Sequence, residues 1–346
     1  MRKIVFLALN LMLALFLVII LLGVTMGVTG FSDKMLGSVI NEEMRQMRTA
    51  LAQTIRDPVE LENTLKIKER ELIALHGLDR PWYWRLPGDY KRIFTLNLGE
   101  AKTIRSFDGS SNISDIILDR LPNTLILMLT SFLIVFFAAV ALGAKLAVKA
   151  GSGFDRAITA LSAVSFATPA WWLGILLILV FGYYLNVLPA GGMYGIPPPE
   201  GTLPRLFDVF KHAILPILAL VMVMLGGYLY SIRNVTLKIA QEDFVRYAKA
   251  RGFSERRIIL RYILRPAAPL ILTGFAFGLI ASISGSILTE TVFKWPGMGL
   301  LYKEAVLGTP DEGLIIALTF IYTLFYVAAR LILEVLYVWL DPRIRV

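Results

Sequence analysis

Residues that could carry chemistry are sparse in this sequence. Its 346 residues include no cysteine, so neither a thiolate metal site, a disulfide nor a cysteine nucleophile can form. The two histidines, His76 and His212, lie far apart along the chain, which favours solvated or packed histidines over a zinc site. The sequence also lacks the phosphate-binding pattern G-x-x-x-x-G-K followed by Ser or Thr. We therefore predict no catalytic residue, no metal site and no nucleotide-binding loop in this chain.

One pair of charges lies inside an apolar run near the end of the chain. Arg330 and Glu334 are four residues apart, so on a helix they share a face and can pair. Ionisable residues in such a run are functional candidates by default. The alternative is an internal ion pair that only stabilises its helix, and the sequence leaves both interpretations open.

The elements that must position these residues are strongly apolar. The chain is 56% hydrophobic with a mean hydropathy of +0.66, too apolar for a soluble globular protein. Residues 125–144, 213–232 and 267–289 contain no charge, and each run is long enough to cross a hydrocarbon core of about 30 Å. Because lipid offers no partners to backbone groups, such runs must be helical. The predicted fold class is an all-α polytopic membrane protein.

Six transmembrane helices are predicted, and they divide the chain into three regions. The first run follows Arg2 and Lys3; it is longer than a signal-peptide core and lacks an Ala-x-Ala cleavage site, so we predict a retained helix. The predicted helices are 4–28, 121–148, 157–185 with a kink at Pro169, 211–232, 267–290 and 313–340, with loops at 186–210 and 291–312. The regions are a first helix (1–30), a helical insertion (31–119) and a five-helix core (120–346).

Local signals refine these boundaries. Asp57 followed by Pro58 is typical of a helix start inside the insertion, and Pro122 suggests that the second membrane helix begins at 121. Small residues recur at every fourth position of the fifth helix, at Gly274, Gly278, Ser282 and Ser286. Such a stripe permits close helix packing. It is equally compatible with the lining of a permeation path.

Basic residues indicate the orientation of the chain in the membrane. Residues 233–265 contain nine Lys or Arg against three acidic residues, whereas the loops on the other side are close to balanced. By the positive-inside rule, both termini and this segment are cytoplasmic, and residues 31–119 face outward. The net charge of +9 is therefore a topology signal rather than a sign of nucleic-acid binding. The predicted location is the cell membrane.

The polar segment between the fourth and fifth helices has the pattern of two short helices. Residues 242–251 predict one helix, and Gly252 is suited to the left-handed conformation that ends it. Ser254 is a candidate N-cap for a second helix, and Pro266 follows its end. A short helix held by turns at both ends is suited to docking in a groove of a partner protein.

This segment resembles the cytoplasmic coupling loop of ABC importer permeases in the dipeptide/oligopeptide branch, here residues 233–266. Glu242 to Gly252 match that branch, although Arg246 stands where the wider class carries Glu. The resemblance extends to residues 75–81, 119–124, 169–174, 188–192, 290–299 and 341–345. The chain is identified on these motifs as similar to the first of two permeases.

The resemblance implies a transport subunit rather than an enzyme. Its expected partners are a second homologous permease, two ATP-binding cassette subunits that bind ATP and Mg²⁺, an extracytoplasmic substrate-binding protein and the lipid bilayer. It implies that this chain carries no cofactor of its own and forms half of a path for peptides. Oligosaccharides or nickel are the alternative substrates, and a secondary transporter is the more remote alternative. The coupling residues implied are Glu242, Asp243, Phe244, Arg246, Ala248, Ala250, Gly252 and Arg256.

Overall fold

The structure is a computed structural model that describes residues 2–283, 287–308 and 311–340, with most of their side chains. Within these ranges the chain is helical, and its one β-type pairing is an isolated bridge between Glu100 and Asn112. The predicted all-α class is therefore confirmed. The α-helices are α1 Arg2–Val28, α2 Phe31–Leu51, α3 Pro58–Leu75, α4 Leu86–Phe94, α5 Ile113–Val148, α6 Gly153–Ala167, α7 Ala170–Leu177, α8 Thr202–Ala240, α9 Asp243–Ala250, α10 Glu255–Arg257, α11 Arg265–Ile283, α12 Ile287–Val292, α13 Met298–Lys303 and α14 Glu312–Leu340.

Short 3₁₀ and π segments extend this set. A 3₁₀ turn covers Trp82–Trp84, and π-helical segments cover Ile178–Tyr184, Ile258–Leu264 and Glu304–Gly308. The three π segments directly continue α7, α10 and α13.

Five helical stretches of the described chain are long and apolar enough to cross a membrane. They are Phe6–Val28, Ile113–Val148, Thr202–Ala240, Glu255–Ala276 and Glu312–Ile332. Helix α6 and the stretch Ala170–Tyr184 would form a sixth span together, although they are bent by 98° at their junction. The chain is thus a multi-pass membrane protein, in agreement with the predicted six spans.

The chain divides into two compact units. The first comprises Met1–Asp119 and Leu301–Val327, and the second comprises Arg120–Leu300 and Ala328–Val346. In the first unit the helical insertion (31–119) packs against α1. A Cβ atom at Gly27 would lie 2.2 Å from the Trp82 ring, and the Tyr90 hydroxyl donates to the Ile20 carbonyl at 3.2 Å.

Helices α3 and α5 begin with side-chain caps, one predicted and one not. The Asp57 carboxylate accepts the Val59 N–H at 2.9 Å, so the predicted start of α3 is confirmed. The predicted start of the second membrane helix at 121 is wrong, because α5 already begins at Ile113. There the Asn112 side chain accepts the Ser114 N–H at 2.9 Å. Pro122 lies inside α5 and removes one backbone donor without ending the helix.

Proline and glycine positions explain two further differences from the predictions. At the predicted kink, Thr168 and Pro169 are both extended, so the third helix breaks completely into α6 and α7. Helix α8 begins at Thr202, inside the predicted loop 186–210, after Gly201 with φ 89°. Pro204 lies in the first turn of α8, where backbone N–H groups need no helical partner.

The predicted loop 291–312 is wrong over the residues of α13 and the π segment that follows. Met298, Leu301 and Ala305 recur at helical spacing, and each is at most 1% exposed. The predicted fifth helix corresponds to α11 and α12, and residues 284–286 lie outside the described residues. The predicted helix end before Pro266 is wrong, because α10, the π segment Ile258–Leu264 and α11 follow one another without a break. The predicted first and sixth membrane helices are confirmed as α1 and α14. The motif at 341–345 also lies outside the described residues.

Candidate functional site

Helix α9 is the centre of the candidate coupling segment. It follows α8 after a short turn in which the Glu242 N–H donates to the Ile239 carbonyl at 3.1 Å. Asp243 lies in its first turn and Lys249 in its last turn. This placement matches the helix dipole, because negative charge is favoured at the N-terminus and positive charge at the C-terminus.

The end of α9 is a complete Schellman motif. Gly252 has φ 75°, and its N–H donates to the Lys249 carbonyl at 2.9 Å. The Phe253 N–H donates back to the Ala248 carbonyl at 3.3 Å. Together these bonds satisfy carbonyls that a helix end would otherwise leave open. The predicted left-handed glycine is confirmed, and the motif fixes the angle between α9 and the next helix.

The buried face of α9 packs against the π segment Ile258–Leu264. Val245 and Ala248 are 0% and 3% exposed and form one cluster with Ile258 and Ile263. The Phe253 ring stacks on Tyr262 with ring centroids 5.7 Å apart. Ser254 occupies the predicted N-cap position of α10, although its side chain makes no capping hydrogen bond. The two helices of the segment are therefore held as one packed body.

The remaining surface of α9 is open. Of the eight predicted coupling residues, Ala248 is buried and the other seven are exposed. Phe244 is 44% exposed, and Tyr247, which sequence reasoning did not select, is 71% exposed. The signal available in the sequence was a pair of aromatic residues three positions apart on a predicted helix, because aromatic side chains are enriched at binding interfaces.

Arg246 lies on this open surface and pairs locally. Its guanidinium is 3.5 Å from the Asp243 carboxylate, and both side chains are more than two-thirds exposed. Exposed pairs of this kind contribute little stability. The Arg246 charge is therefore available to a docking partner at low cost.

A bidentate ion pair anchors α8 at Arg233, the first residue of the candidate coupling segment 233–266. Arg233 Nε and Nη2 donate to the two carboxylate oxygens of Asp155 at 2.5 and 2.6 Å. The Gly151 N–H donates to the same carboxylate at 2.9 Å, and Asp155 is almost fully buried. This geometry fixes α8 to the start of α6, since two parallel bonds define orientation as well as distance. Sequence reasoning missed the pair because its members are 78 residues apart.

A second buried polar cluster surrounds Glu290, which is fully buried. The Thr124 hydroxyl donates to its carboxylate at 2.9 Å, and the backbone N–H groups of Gly299 and Leu300 donate at 2.7 and 3.0 Å. The Met298 N–H donates to the Thr124 hydroxyl at 2.7 Å. Glu290 thus ties α5 to the first turn of α13, a role that sequence reasoning did not assign.

Tryptophan and asparagine side chains extend the Glu290 cluster. Trp295 Nε1 donates to the Asn123 carbonyl at 2.9 Å, and Asn123 Nδ2 donates to the Pro296 carbonyl at 2.8 Å. All these groups have hydrogen-bond partners, as buried polar groups require. The partners are distant in sequence.

Two glycines of the predicted small-residue stripe on the fifth helix have different surroundings. A Cβ atom at Gly278 would lie 1.5 Å from the Tyr228 hydroxyl oxygen, so glycine permits the contact of α11 with α8. Gly274 has no such neighbour and lines an apolar cavity of about 480 Å³. Nothing is described of the Ser282 side chain, and Ser286 lies outside the described residues. A permeation role for the stripe stays a prediction.

The other predicted charged sites remain separate. The side chains of Arg330 and Glu334 approach to 4.0 Å and are each somewhat less than a third exposed, and whether the pair acts in transport stays a prediction. His212 contacts the Asp208 carbonyl at 2.8 Å. Burial and nearby Lys102 hold the pKa of His76 below its usual value. Among the described residues, no three potential metal ligands come together.

Comparison with known proteins adds an independent finding. Residues 139–346 match the family model described as "Binding-protein-dependent transport system inner membrane component". The chain is 32% identical over 291 residues to the oligopeptide transport system permease protein AppB of Bacillus subtilis (strain 168), covering 83% of this chain and 89% of AppB. It is 29% identical over 292 residues to the di/tripeptide transport system permease protein DppB of Pseudomonas aeruginosa (strain UCBPP-PA14), covering 79% and 84%. For the oligopeptide transport system permease protein OppB of Haemophilus influenzae the identity is 30% over 259 residues, covering 74% and 80%.

Proposed function

The chain belongs to the family of binding-protein-dependent transport system inner membrane components, and on that premise we propose that it forms half of the path by which an ATP-driven importer moves peptides across the cell membrane. Membership makes it a permease subunit of an ABC importer rather than an enzyme. Such systems work with ATPase and binding-protein partners. The peptide substrate is supported by the similar permeases, whose names specify oligopeptides and di- or tripeptides.

We propose a specific set of partners. A second homologous permease completes the path, two ATP-binding cassette subunits bind ATP and Mg²⁺, and an extracytoplasmic binding protein delivers the substrate. Both termini and residues 233–266 lie in the cytoplasm, and residues 31–119 face outward. The excess of basic residues in 233–265 supports this orientation.

The observation that carries the coupling role is the open surface of α9 on a rigidly held helix. Phe244 and Tyr247 are exposed, while Val245 and Ala248 fasten the same helix to the segment that leads into α11. We expect this surface to dock in a groove of an ATPase subunit, as amphipathic helices do in protein grooves. The predicted coupling residues Glu242, Asp243, Arg246, Ala250, Gly252 and Arg256 surround the docking surface.

The proposed mechanism is a rigid transfer of motion. When the ATPase subunits close on ATP, α9 moves with them and carries α8 and α11 at its two ends. The Arg233–Asp155 pair transfers the movement of α8 to α6, because it fixes both position and orientation. Two arrangements of packed helices then alternate between an outward and an inward opening. ATP binding shifts the population toward one arrangement.

We predict that the complete importer in proteoliposomes accumulates labelled peptides when ATP and the binding protein are supplied together. Unlabelled peptides should compete for uptake, whereas oligosaccharides and Ni²⁺ should not. A non-hydrolysable ATP analogue is the matched control, and it should leave only background uptake. Accumulation of Ni²⁺ or an oligosaccharide instead of peptides would contradict the substrate proposal. Uptake driven by an ion gradient without ATP would contradict the whole assignment.

A further inference from the structure

An apolar cavity of about 550 Å³ lies beside the coupling segment, within the second unit. It is bounded by the C-terminal half of α5, the start of α6, and α10 with its π segment. Its lining is mainly apolar and includes Ala141, Ala144, Phe154, Leu260 and Leu264. Phe154 and Leu260 are each 54% exposed, so the cavity opens to the surroundings. A cavity of this volume with an apolar lining can accept a flexible apolar chain.

Three basic side chains border this cavity. Lys145, Lys149 and Arg256 all line it, and Glu255 is the one acidic residue among the lining residues. None of the three basic side chains makes a hydrogen bond or an ion pair with the residues described in the structure. The cavity therefore combines an apolar floor with an excess of unpaired positive charge at its edge.

The positions of the two lysines connect this edge to a membrane surface. Lys145 lies in the last turn of α5, and Lys149 follows one helical turn later. The apolar part of α5 that precedes them is one of the membrane-spanning stretches. Lysines at the end of a span place their charge at the level of lipid headgroups while their stems cover apolar surface.

We propose that this cavity binds an anionic phospholipid. One acyl chain lies along the apolar floor, and the headgroup phosphate accepts hydrogen bonds from Lys145, Lys149 and Arg256. A soluble anion would leave the apolar floor exposed to water, and a zwitterionic lipid would gain less from the unpaired charges. Basic pockets between membrane helices on the cytoplasmic side bind anionic lipid headgroups for the same electrostatic reason.

The site has a direct connection to the docking helix. Arg256 and Leu260 lie on α10 and its π segment, the element whose Ile258 and Ile263 pack against α9. A lipid bound here would therefore contact the body that carries the proposed docking surface. The inference does not depend on the transported substrate, so it stands even if the peptide assignment fails.

The test measures the binding of phosphatidylglycerol and phosphatidylcholine to the delipidated importer complex, with native mass spectrometry as the readout. The unmodified complex should bind phosphatidylglycerol more tightly than phosphatidylcholine. A K145Q/K149Q variant should lose about 10- to 30-fold in phosphatidylglycerol affinity, because each basic residue near an anionic surface contributes a factor of about five. A K66Q/R70Q variant is the matched control, since it removes two exposed charges with the same spacing from α3. It should keep the lipid preference.

A second variant separates a lipid from a free anion. Ala141→Trp fills the apolar floor without changing any charge, and it should weaken phosphatidylglycerol binding while the basic edge is kept. Inorganic phosphate should not displace the lipid from the unmodified complex. Equal lipid binding by the K145Q/K149Q and K66Q/R70Q variants would overturn the proposal. Loss of subunit assembly in K145Q/K149Q with unchanged lipid retention would also overturn it, because a protein partner would then occupy the cavity.

Discussion

Replacing Gly252 with valine is expected to reduce peptide uptake per ATP hydrolysed about five- to thirty-fold while membrane insertion is preserved. Gly252 has φ 75°, and a β-branched residue in that conformation costs at least about 1–2 kcal/mol. This strain destabilises the Schellman motif, whose hydrogen bonds join the end of α9 to Phe253. Without the motif, α9 would no longer move as one body with the helix that leads into α11. Uptake and ATP hydrolysis should be measured on the same proteoliposomes.

The control for this experiment is Gly252→Asn. Asparagine tolerates the left-handed region much better than valine, and no atom lies within 4 Å of a Cβ atom at this position. The asparagine variant should therefore keep most of the uptake per ATP. The loss of uptake per ATP in the valine variant counts as uncoupling only if the assembled complex is recovered in normal amounts. If the valine variant transports at the original ratio, the rigid connection at Gly252 is not needed for coupling.

Replacing Glu290 with alanine is expected to lower the free energy of unfolding by about 3–6 kcal/mol. The substitution leaves the Thr124 hydroxyl and the N–H groups of Gly299 and Leu300 without their buried acceptor. It also creates a cavity between α5 and the first turn of α13. The effect is measured as the thermal stability of the purified chain in detergent, with the loss of monodisperse protein on heating as the readout.

Glu290→Gln is the matched control because it keeps an oxygen of similar position and size. That oxygen can still accept the two backbone N–H groups, while only the partnership with Thr124 must rearrange. The glutamine variant should therefore lose much less stability than the alanine variant. Equal losses for the two variants would mean that the negative charge, rather than the hydrogen-bonded geometry, holds this region together.

Features set by local chemistry were predictable from the sequence. Apolar run lengths identified the membrane helices, and Asp57 and Gly252 were assigned from the residue types that begin and end helices. The break at Pro169 was only partly predicted, because the sequence indicates that proline disturbs a helix but does not fix the size of the bend. The π segment Ile258–Leu264 has no distinct residue pattern.

Features that depend on distant partners were not predictable from one sequence. Asp155 and Arg233 are 78 residues apart, and only the folded chain brings their side chains together. The stretch 290–299 was recognised as a family motif, but its physical basis became visible only in the structure. Cβ atoms at Gly297 and Gly299 would lie 2.5 and 3.0 Å from the Glu290 carboxylate. Glycine is therefore required at both positions, because the buried Glu290 carboxylate occupies the space that a larger side chain would need.

Site-directed cross-linking from α9 tests the central claim, the docking of this helix on an ATPase subunit, most directly. The chain contains no cysteine, so Tyr247→Cys gives a unique attachment point for a maleimide–benzophenone reagent on the open surface of α9. Leu203→Cys, at a residue 78% exposed near the start of α8, is the control. In the assembled importer, illumination should join the Tyr247→Cys chain to the ATPase subunit and leave the Leu203→Cys chain without that product. Absence of the ATPase adduct from Tyr247→Cys, with the complex intact, would contradict the account.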